Sequence, residues 1–225
     1  MPPGSALASK VESLFAAPVR VGVGELGEAQ YALYPEEAAA VGRATPQRWR
    51  EFAAGRACAR RALGGWNLAP IAVPVGKTRR PIWPDGFTGA IAHTAHLCAA
   101  AVAQVEHASS IGLDLEIMRP MPQGSAELVC TPAELAAFEH DAPTGPLLAF
   151  CAKEALYKCY NPVADAYLDF QDVEVRVSER AGESGCFGFQ FGDHIAGARE
   201  WEARLVGRWM VAAGHMIVGV TLLPG

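Results

Sequence analysis

The chain has 225 residues, 51% hydrophobic and 19% charged, a composition typical of a globular protein that excludes a wholly disordered one. Its net charge of −5 excludes a bulk positive field for non-specific binding to nucleic acid. No apolar run reaches the roughly 18–20 residues of a membrane span, and residues 1–10 lack a secretory-signal pattern. We therefore expect a cytoplasmic protein of one large domain or two small ones.

Cysteine spacing argues against a metal or disulfide framework. The six cysteines, at positions 58, 98, 130, 151, 159 and 186, include no C-x-x-C pair and have no histidine at zinc-finger spacing. We interpret them as reduced cysteines of a cytoplasmic protein.

The first third of the chain predicts one strand and one helix. Residues 1–30 are weakly patterned, with a strand near Val19–Val23. Thr45-Pro46 has the N-cap and first-turn residues of a helix that continues from Arg48 to Leu63 and ends at Gly64-Gly65. Residues 70–88 hold six prolines and glycines and predict a loop.

Two strand-like segments follow the loop. Leu97–Val105 is small and apolar, which fits a strand or a short buried helix. Ile111–Met118 alternates between an apolar face and a face that carries Asp114 and Glu116, and this period predicts a strand. Residues 119–124 then break the pattern, so we predict an N-terminal half, 1–119, and a C-terminal half, 120–225.

The C-terminal half predicts helices followed by strands. Thr131 and Glu134 have the spacing of a capping box, which predicts a helix over about 131–140. A second helix is predicted over Leu147–Tyr160, closed before Asn161-Pro162. Strands are predicted at Val173–Val177, Gly185–Phe191, Trp201–Leu205 and Met216–Leu222.

Asp114 and Glu116 are the first candidates for chemistry. On a strand they project from one face, about 6.5–7 Å apart along the backbone. Two carboxylates this close repel each other unless a cation lies between them, and a hard divalent cation such as Mg²⁺ suits oxygen ligands. The alternative is a half-exposed strand with an acidic solvent face.

Lys153, Glu154 and Lys158 are the second set. Glu154 and Lys158 are four residues apart, so they share a helix face, and the simple interpretation is a surface ion pair. However, two of only four lysines in the chain lie in this segment, and its apolar flanks predict a largely buried helix. Buried lysine and glutamate side chains need partners.

Basic residues upstream form the third set. His93 follows the turn-rich loop and could equally be a structural histidine. Positively charged side chains also occur on the first helix and the loop, where they form either a solvated face or an anion site, since arginine matches phosphate geometry. These residues are Arg48, Arg56, Lys77, Arg79 and Arg80. Together the three sets suit a substrate with a pyrophosphate and an additional phosphate.

Two spaced segments resemble the signature of a known family. Gly112–Glu116 (Gly-Leu-Asp-Leu-Glu) and, further along, Phe150–Lys158 (Phe-Cys-Ala-Lys-Glu-Ala-Leu-Tyr-Lys) resemble the paired motif of the 4′-phosphopantetheinyl transferases. Phe52–Leu63 and Arg80–Gly86 resemble the enterobactin-type branch of the larger, surfactin-type group. The resemblance runs from about Arg48 to Asn161 and implies a monomeric α+β fold built from a pseudo-twofold pair of similar halves.

The resemblance implies a role for each matching residue. Asp114, Glu116 and Glu154 would be magnesium ligands, with Mn²⁺ as an alternative metal, and Lys153 and Lys158 would lie by the pyrophosphate of coenzyme A. His93 would contact its 3′-phosphate, and the basic residues of the third set resemble that branch's phosphate-binding residues. Ala90 and Ala92 depart from the family, which often has hydroxyl residues before the histidine.

The implied reaction moves the 4′-phosphopantetheine arm of coenzyme A to a serine of an apo acyl or peptidyl carrier protein and releases 3′,5′-ADP. Glu154 would act as general base and Lys158 would neutralise the leaving phosphate. The carrier is expected to dock near Met118, Arg119, Met121 and the 131–140 helix. The carrier's pathway, siderophore, polyketide or other, stays open, and neither a membrane nor a nucleic-acid partner is expected.

Two other functions compete with this hypothesis. A metal-dependent nuclease or phosphohydrolase also uses an acidic cluster with a lysine, although such folds usually place the second acid and the lysine on a strand. A homologue that binds coenzyme A without transferring its arm is the second, and the loss of hydroxyl groups at Ala90 and Ala92 favours it.

Overall fold

Two antiparallel β-sheets organise residues 3–26, 31–139 and 144–225, the part of the chain that this computed structural model describes. The helices are α1 (Pro3–Glu12), α2 (Pro35–Val41), α3 (Pro46–Gly64), α4 (Ser125–Val129), α5 (Pro132–Ala137), α6 (Thr144–Ala164) and α7 (Ala198–Arg204). The strands are β1 (Val19–Glu25), β2 (Phe87–His93), β3 (Leu97–Gln104), β4 (Ser110–Ile117), β5 (Val173–Ala181), β6 (Ser184–Phe191), β7 (Leu205–Ala212) and β8 (His215–Leu222). A 3₁₀ turn, Phe170–Asp172, precedes β5. No helix in these ranges has the length and apolar character needed to cross a membrane.

The smaller sheet has the order β1-β3-β2, and the larger has the order β4-β8-β7-β6-β5. One long helix packs on each sheet, α3 on β1 and β3 and α6 on β4 and β8. An apolar cluster between the sheets includes Ile111, Leu113 and Leu115 of β4 together with Ala90 and Ala92 of β2. The arrangement confirms the predicted α+β class.

Helix starts were the most predictable feature. Thr45 caps α3 as expected, its hydroxyl accepting the N–H of Arg48 at 3.2 Å. Thr131 and Glu134 form the predicted capping box of α5, because each side chain satisfies a backbone N–H that the first helical turn leaves free. α5 ends at Ala137, and residue 140 of the predicted helix lies outside the described residues.

The structure corrects two predicted boundaries. α6 does not close before Asn161-Pro162 but continues to Ala164, because a proline in the last turn removes only one hydrogen bond. The helix ends instead at Asp165, which has a φ of 47°. The predicted strand over Trp201–Leu205 is wrong. Residues 201–204 belong to α7, and only Leu205 lies in a strand, as the first residue of β7. The helix places Trp201 edge-on against the ring of Tyr160.

Several elements had no sequence signal that we recognised. β2 begins inside the segment predicted as a loop, and α1 and α2 are short helices that we did not predict. The strand predictions near Val19–Val23 and Leu97–Val105 are confirmed by β1 and β3.

β4 belongs to the larger sheet by its hydrogen bonds. It pairs antiparallel with β8, with Asp114 opposite Val218 and Glu116 opposite Met216. We expected this strand to close the N-terminal half, yet the C-terminal strand returns to lie beside it. The division of the chain near residue 119 stays a prediction.

Strand glycines allow both long helices to lie close to their sheets. A Cβ atom at Gly112 in β4 would lie 1.8 Å from the carbonyl oxygen of Ala155 in α6, and one at Gly22 in β1 would lie 2.1 Å from that of Cys58 in α3. Each obstacle is backbone and cannot rotate away. Gly112 therefore sets the distance between β4 and α6.

The variant Gly112→Ala tests this constraint. We expect it to lower the free energy of unfolding by about 3 kcal/mol or more, because the added methyl group forces the helix away from the strand. Urea denaturation measures the change. Gly188→Ala in β6 is the matched control, since a Cβ there meets no atom within 4 Å, and it should shift stability by less than about 1 kcal/mol. Equal stability of the two variants would contradict the proposed constraint.

Candidate active site

An ion pair joins the two signature segments. Lys158 Nζ in α6 donates to Asp114 Oδ1 in β4 at 2.7 Å and to the Leu113 carbonyl oxygen at 3.2 Å. Asp114 is 6% exposed, which excludes the acidic solvent face as an explanation for this residue. Burial lowers the pKa of Lys158, but the charge and hydrogen bond of Asp114 and the charge of Glu154 outweigh it, so the pKa lies above its ordinary value.

The other two predicted carboxylates lie beside this pair. Glu116 and Glu154 are both half-buried. Burial raises the pKa of Glu116, and the charge of Asp114 raises it further. Burial also raises the pKa of Glu154; the charge of Asp114 adds to the increase and that of Lys158 opposes it. The structure thus brings three carboxylates into one electrostatic environment.

These residues fit a divalent cation by their chemistry. All three offer the oxygen ligands that such ions prefer. Moreover, Oδ2 of Asp114 is buried and has no hydrogen-bond partner among the described residues, an arrangement that costs free energy unless something satisfies the oxygen. In this structure, however, the three carboxylates do not form a ready metal site. No three His, Cys, Asp or Glu side chains of the described ranges are grouped closely enough to hold a metal ion.

Lys153 does not join this group. Its side chain is 1% exposed, and its ammonium forms an ion pair with Glu134 at 2.7 Å. It also donates to the carbonyl oxygens of Val129 at 2.8 Å and Phe170 at 2.7 Å. All three of its protons are therefore used within the protein. The placement of Lys153 by the pyrophosphate stays a prediction, and these three contacts argue against it.

A cavity of about 360 Å³ lies between α3 and β2, and several of the predicted basic residues line it. Arg48, Arg56, Arg79 and His93 all line it. Arg48 Nη1 lies 3.3 Å from His93 Nε2. Glu51, one turn along α3 from Arg48, also borders the cavity and lies 3.4 Å from that guanidinium.

Arg56 is the most buried of the basic residues that line this cavity. It is 5% exposed, and its Nε has no hydrogen-bond partner among the described residues. Its guanidinium lies 4.2 Å from the centre of the Phe52 ring. Burial lowers its pKa to about 10, although the charge of Glu37 partly opposes the shift. A buried guanidinium with an unpartnered nitrogen is a candidate for binding an anion.

A neighbouring cavity lies between the basic group and Lys158, the ion-pair partner of Asp114. This space, about 330 Å³, is lined by Arg79, Arg80, Tyr157 and Lys158 among others. Because Arg79, Pro81 and Ile91 line both cavities, the two spaces adjoin, and cationic side chains occur along this path from Arg48 to Lys158. The exposed side chain of Lys77 borders neither cavity.

The loop that carries these arginines is fastened to α6. Arg80 Nη2 donates to Asp165 Oδ1 at 2.7 Å, at the end of that helix. Arg79 has a φ of 66°, a left-handed conformation that is unfavourable for arginine and typical of functional sites. Sequence reasoning missed Asp165, because no pattern links it to Arg80, and it missed Glu51, which its spacing from Arg48 could have revealed.

The environment of His93 predicts a pH dependence of stability. Burial lowers the pKa of His93 below its ordinary value of 6.5; the charge of Glu51 opposes this and those of Arg48 and Lys158 add to it. At a pH between the lowered pKa of the folded protein and the ordinary value of 6.5 in the unfolded chain, His93 is protonated mainly in the unfolded chain. The neutral His93 therefore contributes to stability above pH 6.5, and this contribution is lost as the pH falls through the lowered pKa. The variant His93→Gln should therefore gain stability relative to the wild type as the pH is lowered from about 8 to about 5, measured by urea denaturation. Parallel curves would contradict this assignment.

Comparisons with known proteins find matches along most of the chain. Residues 36–103 match the model of the 4′-phosphopantetheinyl transferase N-terminal domain, and residues 110–204 match that of the 4′-phosphopantetheinyl transferase superfamily. The chain is 37% identical to the 4′-phosphopantetheinyl transferase Svp of Streptomyces mobaraensis, over 84% of this chain and 78% of that protein.

Two further relatives are similar over different lengths. The 4′-phosphopantetheinyl transferase PptT of Mycobacterium tuberculosis is 31% identical over 84% of this chain and 85% of its own. Enterobactin synthase component D of Salmonella austin is 34% identical over 51% of this chain and 49% of its own. Two family models match successive parts of the sequence, and two relatives that are 37% and 31% identical each align with 84% of it. The chain therefore belongs to the 4′-phosphopantetheinyl transferase superfamily.

Proposed function

We propose that this protein transfers the 4′-phosphopantetheine arm of coenzyme A to a serine of an apo acyl or peptidyl carrier protein and releases 3′,5′-ADP. The observation that carries the proposal is the path of cations that leads from Arg48 and Arg56 to Lys158 and ends at the buried carboxylate of Asp114. Such a path suits a ligand whose phosphates are separated along its length.

The basic cavity is proposed to hold the 3′-phosphate. Arg48, Arg56 and His93 line this cavity. The Nε–H of Arg56, which has no partner among the described residues, is available to donate a hydrogen bond. Arginine binds phosphate oxygens through parallel hydrogen bonds. The pyrophosphate would then lie along Arg79 and Lys158, in the cavity that the two groups share.

The three carboxylates are proposed to hold a divalent cation, Mg²⁺ or alternatively Mn²⁺. Asp114, Glu116 and Glu154 would be its ligands, with the unpartnered Oδ2 of Asp114 the first of them. When bound, such an ion neutralises phosphate oxygens and makes the phosphorus more electrophilic.

Protein side chains would perform the proton and charge steps. Glu154 is the proposed general base: burial already raises its pKa, which makes its carboxylate a better proton acceptor than an ordinary glutamate. It would take the proton of the carrier serine as the serine oxygen bonds to the β-phosphorus. Lys158 would neutralise the charge that develops on 3′,5′-ADP as the pyrophosphate bond breaks.

We propose that the carrier protein docks in an apolar groove of about 370 Å³ beside Glu116, which we call the docking groove. Its lining includes Glu116, Arg119, Met121, Leu128, Val129, Phe150 and Phe170. Leu128 is 74% exposed, an unusual position for a large apolar side chain. Carriers of this kind are usually acidic helical bundles, which the net charge of −5 repels overall, so Arg119 and the apolar lining would supply the local attraction.

Mass spectrometry of apo carrier proteins tests the reaction. Incubation of the purified protein with Mg²⁺, coenzyme A and a panel of apo carriers should add one phosphopantetheine to a carrier, and EDTA should abolish the gain. Asp114→Asn should lower the rate by about 100-fold or more, because it removes a proposed metal ligand and the partner of Lys158. Coenzyme A binding without any gain would favour the non-transferring homologue, and hydrolysis without coenzyme A would favour a phosphohydrolase.

Calorimetry with coenzyme A tests the phosphate site separately. Arg56→Met should weaken binding by about tenfold to a hundredfold, the worth of a charge-assisted hydrogen bond to phosphate. Lys77→Met is the matched control and should bind as tightly as the wild type, because Lys77 is exposed and lines neither cavity. Equal affinities for the two variants would refute the proposed 3′-phosphate site.

A further inference from the structure

Lys153 has no proton left for a ligand. Its ammonium donates to Glu134 Oε2, to the Val129 carbonyl oxygen and to the Phe170 carbonyl oxygen, all at 2.7–2.8 Å. An ammonium group has three protons, and each of these is used. Lys153 also borders a cavity of about 230 Å³ together with Glu154, but a side chain that is 1% exposed offers almost no surface to a ligand there.

Its partner Glu134 is bonded just as completely. Glu134 is 2% exposed. Oε2 accepts the N–H of Thr131 at 2.8 Å as well as the Lys153 ammonium, and Oε1 accepts the N–H of Val175 at 2.7 Å. The Lys153–Glu134 pair therefore ties α5, α6 and β5 together with five hydrogen bonds, one of which joins the two side chains.

The pair lies directly behind the docking groove. Val129 and Phe170, whose carbonyl oxygens Lys153 holds, both line this groove. Val129 ends α4, and Phe170 begins the 3₁₀ turn before β5. Phe150, which also lines the groove, is on α6 one turn before Lys153. The ammonium of Lys153 thus sets how far α4 and the 3₁₀ turn lie from α6.

We infer that Lys153 and Glu134 are positioning residues that shape the docking groove for the carrier protein, and that Lys153 makes no contact with coenzyme A. The inference rests on the proposed function, because it assigns the groove to the carrier. It separates the two lysines of the signature segment: Lys158 faces the phosphates, and Lys153 acts through Val129 and Phe170 on the second substrate.

Steady-state kinetics with separate titration of the two substrates tests the inference. Lys153→Met should raise the KM for the carrier about tenfold, corresponding to about 1.4 kcal/mol of docking free energy, and leave the Kd for coenzyme A unchanged. Lys158→Met is the matched control on the same helix and should weaken coenzyme A binding. Weakened coenzyme A binding by Lys153→Met, with an unchanged KM for the carrier, would overturn the inference.

A double variant guards against a folding defect. Lys153→Met alone leaves the Glu134 charge buried and unpaired, whereas Lys153→Met with Glu134→Leu removes both charges, a replacement that proteins often tolerate. The folded double variant should still show the raised KM for the carrier, since the bonds to Val129 and Phe170 are missing. A wild-type KM in that variant would show that the pair only stabilises the fold and would overturn the positioning role.

Lysine labelling of the wild type needs no variant. The four lysines are Lys10, Lys77, Lys153 and Lys158. An amine-reactive reagent should modify exposed Lys10 and Lys77, should modify Lys158 only without coenzyme A, and should leave Lys153 unmodified in both conditions. Modification of Lys153 that coenzyme A prevents would overturn the inference. A wild type that labels as expected but modifies no carrier would instead refute the proposed function, and with it the docking role.

Discussion

Because Gly112 has no side chain, the backbone of α6 packs directly against the backbone of β4. The geometry of the candidate site depends on this close contact. Because the helix lies so close, Asp114, two residues along the strand and on the same face, is covered by it. Lys158, one turn beyond Ala155, then reaches the covered carboxylate at 2.7 Å. A wider spacing would leave Asp114 in water, and its pairing with Lys158 would become an ordinary surface ion pair.

The charges around this contact are only partly compensated. Among the residues that the structure describes, one oxygen of Asp114 has a hydrogen-bond partner and the other has none, and the buried Arg56 makes no hydrogen bond from Nε. Burial and the charge of Asp114 hold the pKa values of Glu116 and Glu154 above their usual range. Proteins retain such costly groups mainly where a ligand repays them. A free carboxylate oxygen on Asp114 and a free guanidinium nitrogen on Arg56, within the part of the chain that the structure describes, are complementary to a metal ion and to a phosphate group, respectively.

The two lysines of the signature segment point to different sides of α6, which suits the two different roles proposed for them. Five residues along a helix correspond to a rotation of about 140°, so Lys153 and Lys158 point away from each other. Lys158 faces β4, whereas Lys153 faces α5 and the 3₁₀ turn. Glu154 shares the side of Lys158, since four residues nearly complete a turn. The nine residues Phe150–Lys158 of α6 can thus serve both the proposed phosphate site and the wall of the proposed docking groove.

Local chemistry in the sequence determined much of this protein. The caps at Thr45 and Thr131, the alternation around Asp114 and the four-residue spacing of Glu154 and Lys158 depend on neighbouring residues alone, and each was predictable. The resemblance to the family rested on the same short segments. In contrast, only the tertiary structure decided that β4 joins the larger sheet, that Arg80 pairs with Asp165, and that Lys153 forms its ion pair with Glu134. These outcomes depend on which distant elements meet, and no local period or spacing encodes the partner of a side chain that lies far away along the chain.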